Sequence, residues 1–141
     1  MEKNEVLITR TLHAPIEKVW AAWTNPENLK QWKSPEGMTT PDAAIDLHVG
    51  GKQMIHMKGP KGEDFINNGE YKEIDPMKKL VFTWQWQNDP VVSTVTVEMK
   101  KVSENETELT LIHDFPTQES MGDHEHGWES TLTKLERFLT K

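Results

Sequence analysis

Residues 124–139 read HEHGWESTLTKLERFL, and this stretch decides how the rest of the chain is interpreted. At about 100° per residue, one stripe of an α-helix through this stretch is apolar and the opposite face is polar. The stripe comprises Met121, His124, Trp128, Leu132, Leu135 and Leu139. The opposite face carries His126, Thr133 and Arg137. The pattern predicts a long C-terminal helix that buries one face against another layer.

Upstream of this helix the hydrophobic period is two, which predicts β-strands. Ile45, Leu47 and Val49 alternate with polar residues before the turn signal Gly50-Gly51. Similar alternation marks residues 53–57, 65–71, 80–86, 95–99 and 109–113, with Gly, Pro, Asn or Asp between them. About six short strands separated by tight turns favour an antiparallel meander.

The N-terminal part predicts one more strand and two short helices. Residues 5–12, EVLITRTL, form the strand, and Pro15 suits the first turn of the helix that follows. Asn25-Pro26 is typical of a cap and a first helical residue, and opens a second helix through Trp32. Because a sheet with one apolar face needs a cover, the layout indicates an α+β fold whose curved sheet grips the C-terminal helix.

The motifs along the chain resemble one known family. They are APIEKVWAAWTNPENLKQW, PEG, IDLHVGG, GEYKEIDPMKKLVFTWQW, ETELTLIHDFP and HEHGWESTLTKLERFL, in that order. Together they resemble START-like (SRPBCC) helix-grip domains, in particular bacterial members of the family named for activators of the heat-shock protein 90 ATPase. The resemblance covers nearly the whole chain and implies a single START-like domain over residues 1–141. It also implies an apolar cavity between the sheet and the long helix.

Two positions depart from the family pattern. Lys33-Ser34 stands where relatives often have a second Trp and a Gly, and Gln53 stands where an aromatic residue is common. Both changes are expected to make part of the pocket, or its mouth, more polar.

Composition excludes several classes of function. The net charge of −7 and the absence of a basic stripe argue against a nucleic-acid binder. The chain has no cysteine, so disulfides and thiolate chemistry are excluded. It has no run of about 18 apolar residues and no apolar signal core at the N-terminus, so we expect a soluble cytoplasmic protein without a membrane span. We expect a monomer or a weak homodimer, and no cofactor.

The predicted ligand-binding residues combine aromatic and apolar strand positions with two inward histidines. They are Trp32, Ile55, Met57, Phe65, Trp84, Trp86, His113, His124 and Trp128. His113 ends the last strand and His124 begins the last helix, so the two rings could lie together at one end of the cavity. They are either structural histidines with satisfied hydrogen bonds or polar anchors for a ligand. His124 and His126 lie about 200° apart on a helix, so we expect no metal site there.

Three functions remain open at this point. The favoured one is binding of an apolar or aromatic small molecule that carries one polar group. The second is an enzyme of the cyclase, isomerase or hydrolase type that uses the inward histidines. The third is a stress-related, co-chaperone-like module with a protein partner. We expect no counterpart here of the additional N-terminal domain that the eukaryotic co-chaperones carry.

Overall fold

The computed structural model describes residues 4–140, which form one antiparallel sheet and four helices. The elements, in chain order, are β1 (Glu5–Leu12), α1 (Ile16–Thr24), α2 (Pro26–Trp32), β2 (Thr39–Ile45), β3 (Lys52–Lys58), β4 (Asp64–Asp75), β5 (Lys79–Trp86), β6 (Ser93–Ser103), β7 (Glu106–Asp114), α3 (Gln118–Met121) and α4 (His124–Leu139). The α+β helix-grip fold predicted from the hydrophobic pattern is confirmed.

The sheet brings the first and last strands together. Its order is β1-β7-β6-β5-β4-β3-β2, so the meander from β2 to β7 is completed by β1 at the far edge. In the β1–β7 ladder, Glu5 lies opposite Asp114 and Leu12 lies opposite Thr107. The sheet is curved, and its concave face packs against α4. This arrangement places the end of β7, the middle of β5 and the start of α4 close together.

Local chemistry explains where the short helices begin. The side chain of Asn25 accepts hydrogen bonds from the backbone N–H groups of Glu27 (2.9 Å) and Asn28 (3.4 Å). Pro26 then occupies the first helical position, where its missing N–H costs nothing. The predicted cap of α2 is therefore confirmed. Pro15 precedes α1 in extended conformation, one residue before the position predicted for it.

The C-terminal stripe is correct for α4 but not for Met121. Trp128, Leu132, Leu135 and Leu139 are buried, as the periodicity predicts. Met121 lies in the separate helix α3, because Gly122 adopts a positive φ of 45° and interrupts the helix. The spacing between Met121 and His124 fits the helical period of 3.6 residues although the helix is interrupted between them.

The strand predicted to run through Val49 is also wrong at its end. β2 stops at Ile45, and Leu47 and Val49 are exposed. The segment curls back because Gly51 lies against the backbone: an added Cβ there would meet the carbonyl oxygen of Asp46 at 2.0 Å. The N–H of Gly50 donates to the Tyr71 carbonyl of β4, so the turn is longer than the Gly-Gly signal implied.

Candidate ligand-binding cavity

A cavity of about 380 Å³ opens between the sheet, α4 and the segment that follows α2. Its walls are mostly apolar. The lining residues are Lys33, Pro35, Met38, Met57, Phe65, Trp84, Trp86, Asp123, His124, Gly127, Trp128 and Thr131. The volume falls within the range of small-molecule pockets, and apolar walls with a few polar groups are typical of them.

The structure brings six of the nine predicted residues to this cavity. They are Met57, Phe65, Trp84, Trp86, His124 and Trp128. The other three, Trp32, Ile55 and His113, are completely buried and lie outside its lining. Trp32 lies in the core: its indole N–H donates to the carbonyl of Ala22 (3.0 Å), and its ring packs edge-on against Trp23.

Three tryptophans supply most of the aromatic wall. The rings of Trp84 and Trp86 meet edge to face, with centroids 5.4 Å apart. Trp128 from α4 approaches Trp84 at the same centroid distance, with the planes tilted by 56°. Phe65 stands edge-on to Trp86 at 6.3 Å and is partly exposed. Such surfaces offer both large apolar area and stacking geometry to a planar ligand.

His113 has both ring nitrogens engaged inside the protein. The indole N–H of Trp128 donates to Nδ1 at 2.9 Å, so Nδ1 accepts and the proton of the neutral ring is on Nε2. Nε2 lies 2.7 Å from the hydroxyl oxygen of Ser93, and this hydroxyl in turn donates to the Trp84 carbonyl (3.3 Å). Burial lowers the pKa of His113 to about 2, with smaller effects from His124 and Lys33. The ring is a neutral link between β5, β6, β7 and α4.

His124 occupies a different environment at the mouth of the cavity. Its ring centroid lies 5.3 Å from that of His113 and 6.0 Å from that of Trp84, so the two histidines do lie together. The side chain is half-buried, and desolvation lowers its pKa although the nearby Asp123 raises it. Within the described residues, His126 is exposed on another side of α4. His124 can therefore face a ligand as a neutral imidazole.

Lys33 is the feature of the site that sequence reasoning did not place. Only 1% of the residue is exposed, and its ammonium nitrogen has no hydrogen-bond partner among the described residues. Nζ lies 4.5 Å from the ring centroid of Trp84 and 4.6 Å from that of Trp128. Burial lowers the pKa of the Lys33 amine from 10.5 to about 7. The only feature of the sequence that pointed to Lys33 was the departure from the family pattern at residues 33–34.

The segment after Lys33 is fastened to α4 by polar contacts. The ammonium of Lys134 donates to the hydroxyl of Ser34 (2.9 Å) and to the Met38 carbonyl (3.1 Å). The backbone N–H of Glu36 donates to the Ser130 hydroxyl (2.6 Å). These bonds hold one wall of the cavity against the helix that forms another wall, which fixes the depth at which the Lys33 amine lies.

Comparison with known proteins gives the family of this fold. The family model described as "Activator of Hsp90 ATPase homolog 1-like protein" matches residues 13–140. The chain belongs to this family. A search of curated proteins gave no match.

Solved structures of other bacterial proteins share the fold. A crystal structure from Nitrosomonas europaea is 29% identical, with a TM-score of 0.86, and the match covers 99% of this chain and 97% of that one. The AHSA1 protein from Silicibacter pomeroyi is 26% identical, with a TM-score of 0.83 and coverage of 96% and 97%. A Rhodobacter sphaeroides protein, 23% identical with a TM-score of 0.85, shares the fold, and the match covers 96% of this chain and 92% of that one.

Two further observations concern membrane spans and metal sites within residues 4–140. No helix between residues 4 and 140 is long and apolar enough to cross a membrane. Over the same range there is no group of three or more His, Cys, Asp or Glu side chains that could hold a metal ion.

Proposed function

We propose that this protein binds a small apolar or aromatic molecule in the cavity between the sheet and α4. The observation that carries the proposal is the wall of Trp84, Trp86 and Trp128 around an open volume of about 380 Å³. Mostly apolar and aromatic walls with a few polar groups such as Lys33 and His124 are typical of small-molecule sites. The family's helix-grip fold is the kind of scaffold in which such a cavity is expected.

The structure offers less support for a protein-interaction module or for an enzyme that uses the two histidines. The outer face of β6 presents Thr94, Thr96 and Glu98, which does not favour a large apolar docking surface there. An acid–base pair of histidines would need a free nitrogen on His113, and both of its nitrogens have partners. The cytoplasmic location, the single-domain organisation and the monomeric or weakly dimeric state stay predictions.

Gly127 allows the cavity to be filled without disturbing the core. It lies in α4 and lines the cavity, and an added Cβ would meet only the side chain of Pro35, at 4.0 Å. Gly127→Leu should therefore fold and place its side chain in the ligand volume. Gly127→Ala is the matched control, since it makes the same backbone change with little added volume.

The test is titration calorimetry with 2-naphthamide, a neutral planar probe. We expect the parent and Gly127→Ala to bind it with similar affinity, and Gly127→Leu to lose at least tenfold in Kd. Equal binding by all three proteins would place the probe elsewhere and contradict the proposal.

Native mass spectrometry of the purified protein, followed by denaturing extraction, would identify any small molecule that accompanies it.

A further inference from the structure

Two residues that line the cavity carry buried hydrogen-bond donors that have no partner among the described residues. They are the Nζ of Lys33 and the indole Nε1 of Trp84, both on residues that line the cavity. Buried polar groups in native proteins nearly always have a partner, so each unsatisfied one requires an explanation. Neither group can accept a hydrogen bond when the amine is charged, and both call for an acceptor.

The remaining polar groups of the lining do not provide that acceptor. The hydroxyl of Thr131 donates to the carbonyl of Gly127 (2.8 Å) within α4. Asp123 is exposed at the rim, and the described contacts of Lys33 include no carboxylate. The amine instead lies over the faces of Trp84 and Trp128, which attract a cation but do not neutralise it.

From this arrangement we infer that Lys33 is an anion-recognition residue, and that the ligand of the cavity is a small aromatic or apolar carboxylate whose head group pairs with its ammonium. The inference rests on the proposed function and names the polar group of the ligand. A carboxylate has only acceptor oxygens and can receive bonds from two donors at once. Its apolar body would lie along the tryptophan wall. The ion pair would form in a dry site, where charge-assisted hydrogen bonds are strong.

The pairing predicts that binding takes up protons. Burial without a counter-ion lowers the pKa of Lys33 to about 7, so near neutral pH the amine is charged in about half of the molecules. A bound carboxylate favours the ammonium, so its pKa rises in the complex. Affinity for the carboxylate should therefore be constant below pH 7 and fall as the pH rises above 7.

Other ionisable groups near Lys33 have to be separated from this effect. His113 of β7 and His124 of α4 both have lowered pKa values, so both stay neutral above pH 7. Asp123, which directly precedes α4, is exposed at the rim of the cavity. Lys134 of α4 also has a pKa lowered by burial, and its ammonium bonds Ser34, next to Lys33 in the chain. Lys134→Arg is therefore the control variant, since arginine keeps donors for Ser34 and Met38 but does not titrate in this pH range.

The experiment compares 2-naphthoate with its neutral isostere 2-naphthamide. Calorimetry on the parent, Lys33→Met and Lys134→Arg is run between pH 6 and 9, in buffers with different ionisation enthalpies. At pH 7 we expect the parent to prefer the naphthoate at least tenfold, with uptake of about half a proton. Lys33→Met should lose the preference for the naphthoate and take up no proton, while Lys134→Arg should keep both the preference and the proton uptake.

The outcomes distinguish failure of the anion site from failure of the proposed function. If the parent binds the amide as well as the naphthoate, or if Lys33→Met keeps the preference, the anion site is refuted and the cavity stands. If neither probe binds the parent, both the anion site and the proposed function fail.

Discussion

Replacement of Lys33 by methionine should make the protein more stable at neutral pH. The ammonium is buried, has no hydrogen-bond partner in the described structure and lies among aromatic rings. Methionine has nearly the length of the lysine stem and carries no charge, so it can fill the same space. Replacing buried charges by apolar residues of similar volume is often neutral or stabilising.

The magnitude follows from the pKa of Lys33. One pKa unit corresponds to about 1.4 kcal/mol, so a shift from 10.5 to about 7 represents about 5 kcal/mol of destabilisation of the charged form. Two cation–π contacts, with Trp84 and Trp128, return about 2 kcal/mol together. We therefore expect Lys33→Met to raise the free energy of unfolding by about 3 kcal/mol at pH 7.

The gain should depend on pH in a defined direction. Between pH 7 and 10.5 the unfolded chain still binds the lysine proton and the folded protein has released it, so the parent becomes more stable as the pH rises. The gap, meaning the difference in free energy of unfolding between Lys33→Met and the parent, is largest below pH 7 and closes toward pH 10.5. His113, whose lowered pKa affects stability below pH 6.5, is present in both proteins and cancels in the difference.

Urea unfolding followed by tryptophan fluorescence at pH 6, 7, 8, 9 and 10 measures this gap. Lys100→Met is the control, because Lys100 is exposed on the outer side of β6, and its gap should stay near zero throughout. A gap for Lys33→Met that does not change with pH would refute the assigned burial of the charge. A loss of stability at every pH would show that the amine has a partner.

Four other substitutions test the surroundings of the cavity. Trp128→Ala should lower the free energy of unfolding by about 3–5 kcal/mol, because it removes a buried aromatic ring and the donor to His113. His124→Ala should keep a free energy of unfolding within about 1 kcal/mol of the parent but bind 2-naphthamide more weakly. Equal effects of the two variants in parallel unfolding experiments and titrations would contradict these roles. Ser93→Ala should cost about 1–3 kcal/mol in urea unfolding, because the N–H of His113 loses its acceptor; an unchanged midpoint would mean that the ring is not linked as described. Gly127→Ala should raise the thermal midpoint, since alanine in a helix interior is about 1 kcal/mol better than glycine, and a lower midpoint would indicate a clash with Pro35.

The fold could be predicted because its periodic signals are long and agree with one another. Alternation in β5 placed Leu80, Phe82 and Trp84 on one face, and all three are buried. The stripe of α4 matched that face. The failures are local: Gly122 interrupts a helical period that continues past it, and Gly51 turns the backbone back before Val49. Single glycines carry little periodic signal, so their effect emerges only from three-dimensional contacts.

The site was predictable only where it coincides with the core pattern. Trp84, His124 and Trp128 lie on strand and helix faces that periodicity assigns inward. Lys33 follows α2 in an irregular segment, where no period indicates direction, and a lysine is expected at the surface. Trp32 was predicted to bind the ligand, yet it is fully buried outside the cavity lining, and the next residue, Lys33, lines the cavity instead. A polar residue at a position where relatives have a large aromatic one was the only indication.

The pairing of β1 with β7 has a consequence for synthesis of the chain. Glu5 finds its partner only when Asp114 has been made, so the first strand leaves the ribosome more than a hundred residues before the strand it joins. Such non-local pairing folds slowly, because a long loop must close before any contact rewards it. Until then β1 presents an open edge to other nascent chains. The order of the strands thus leaves β1 exposed to aggregation from its own synthesis until β7 has been made.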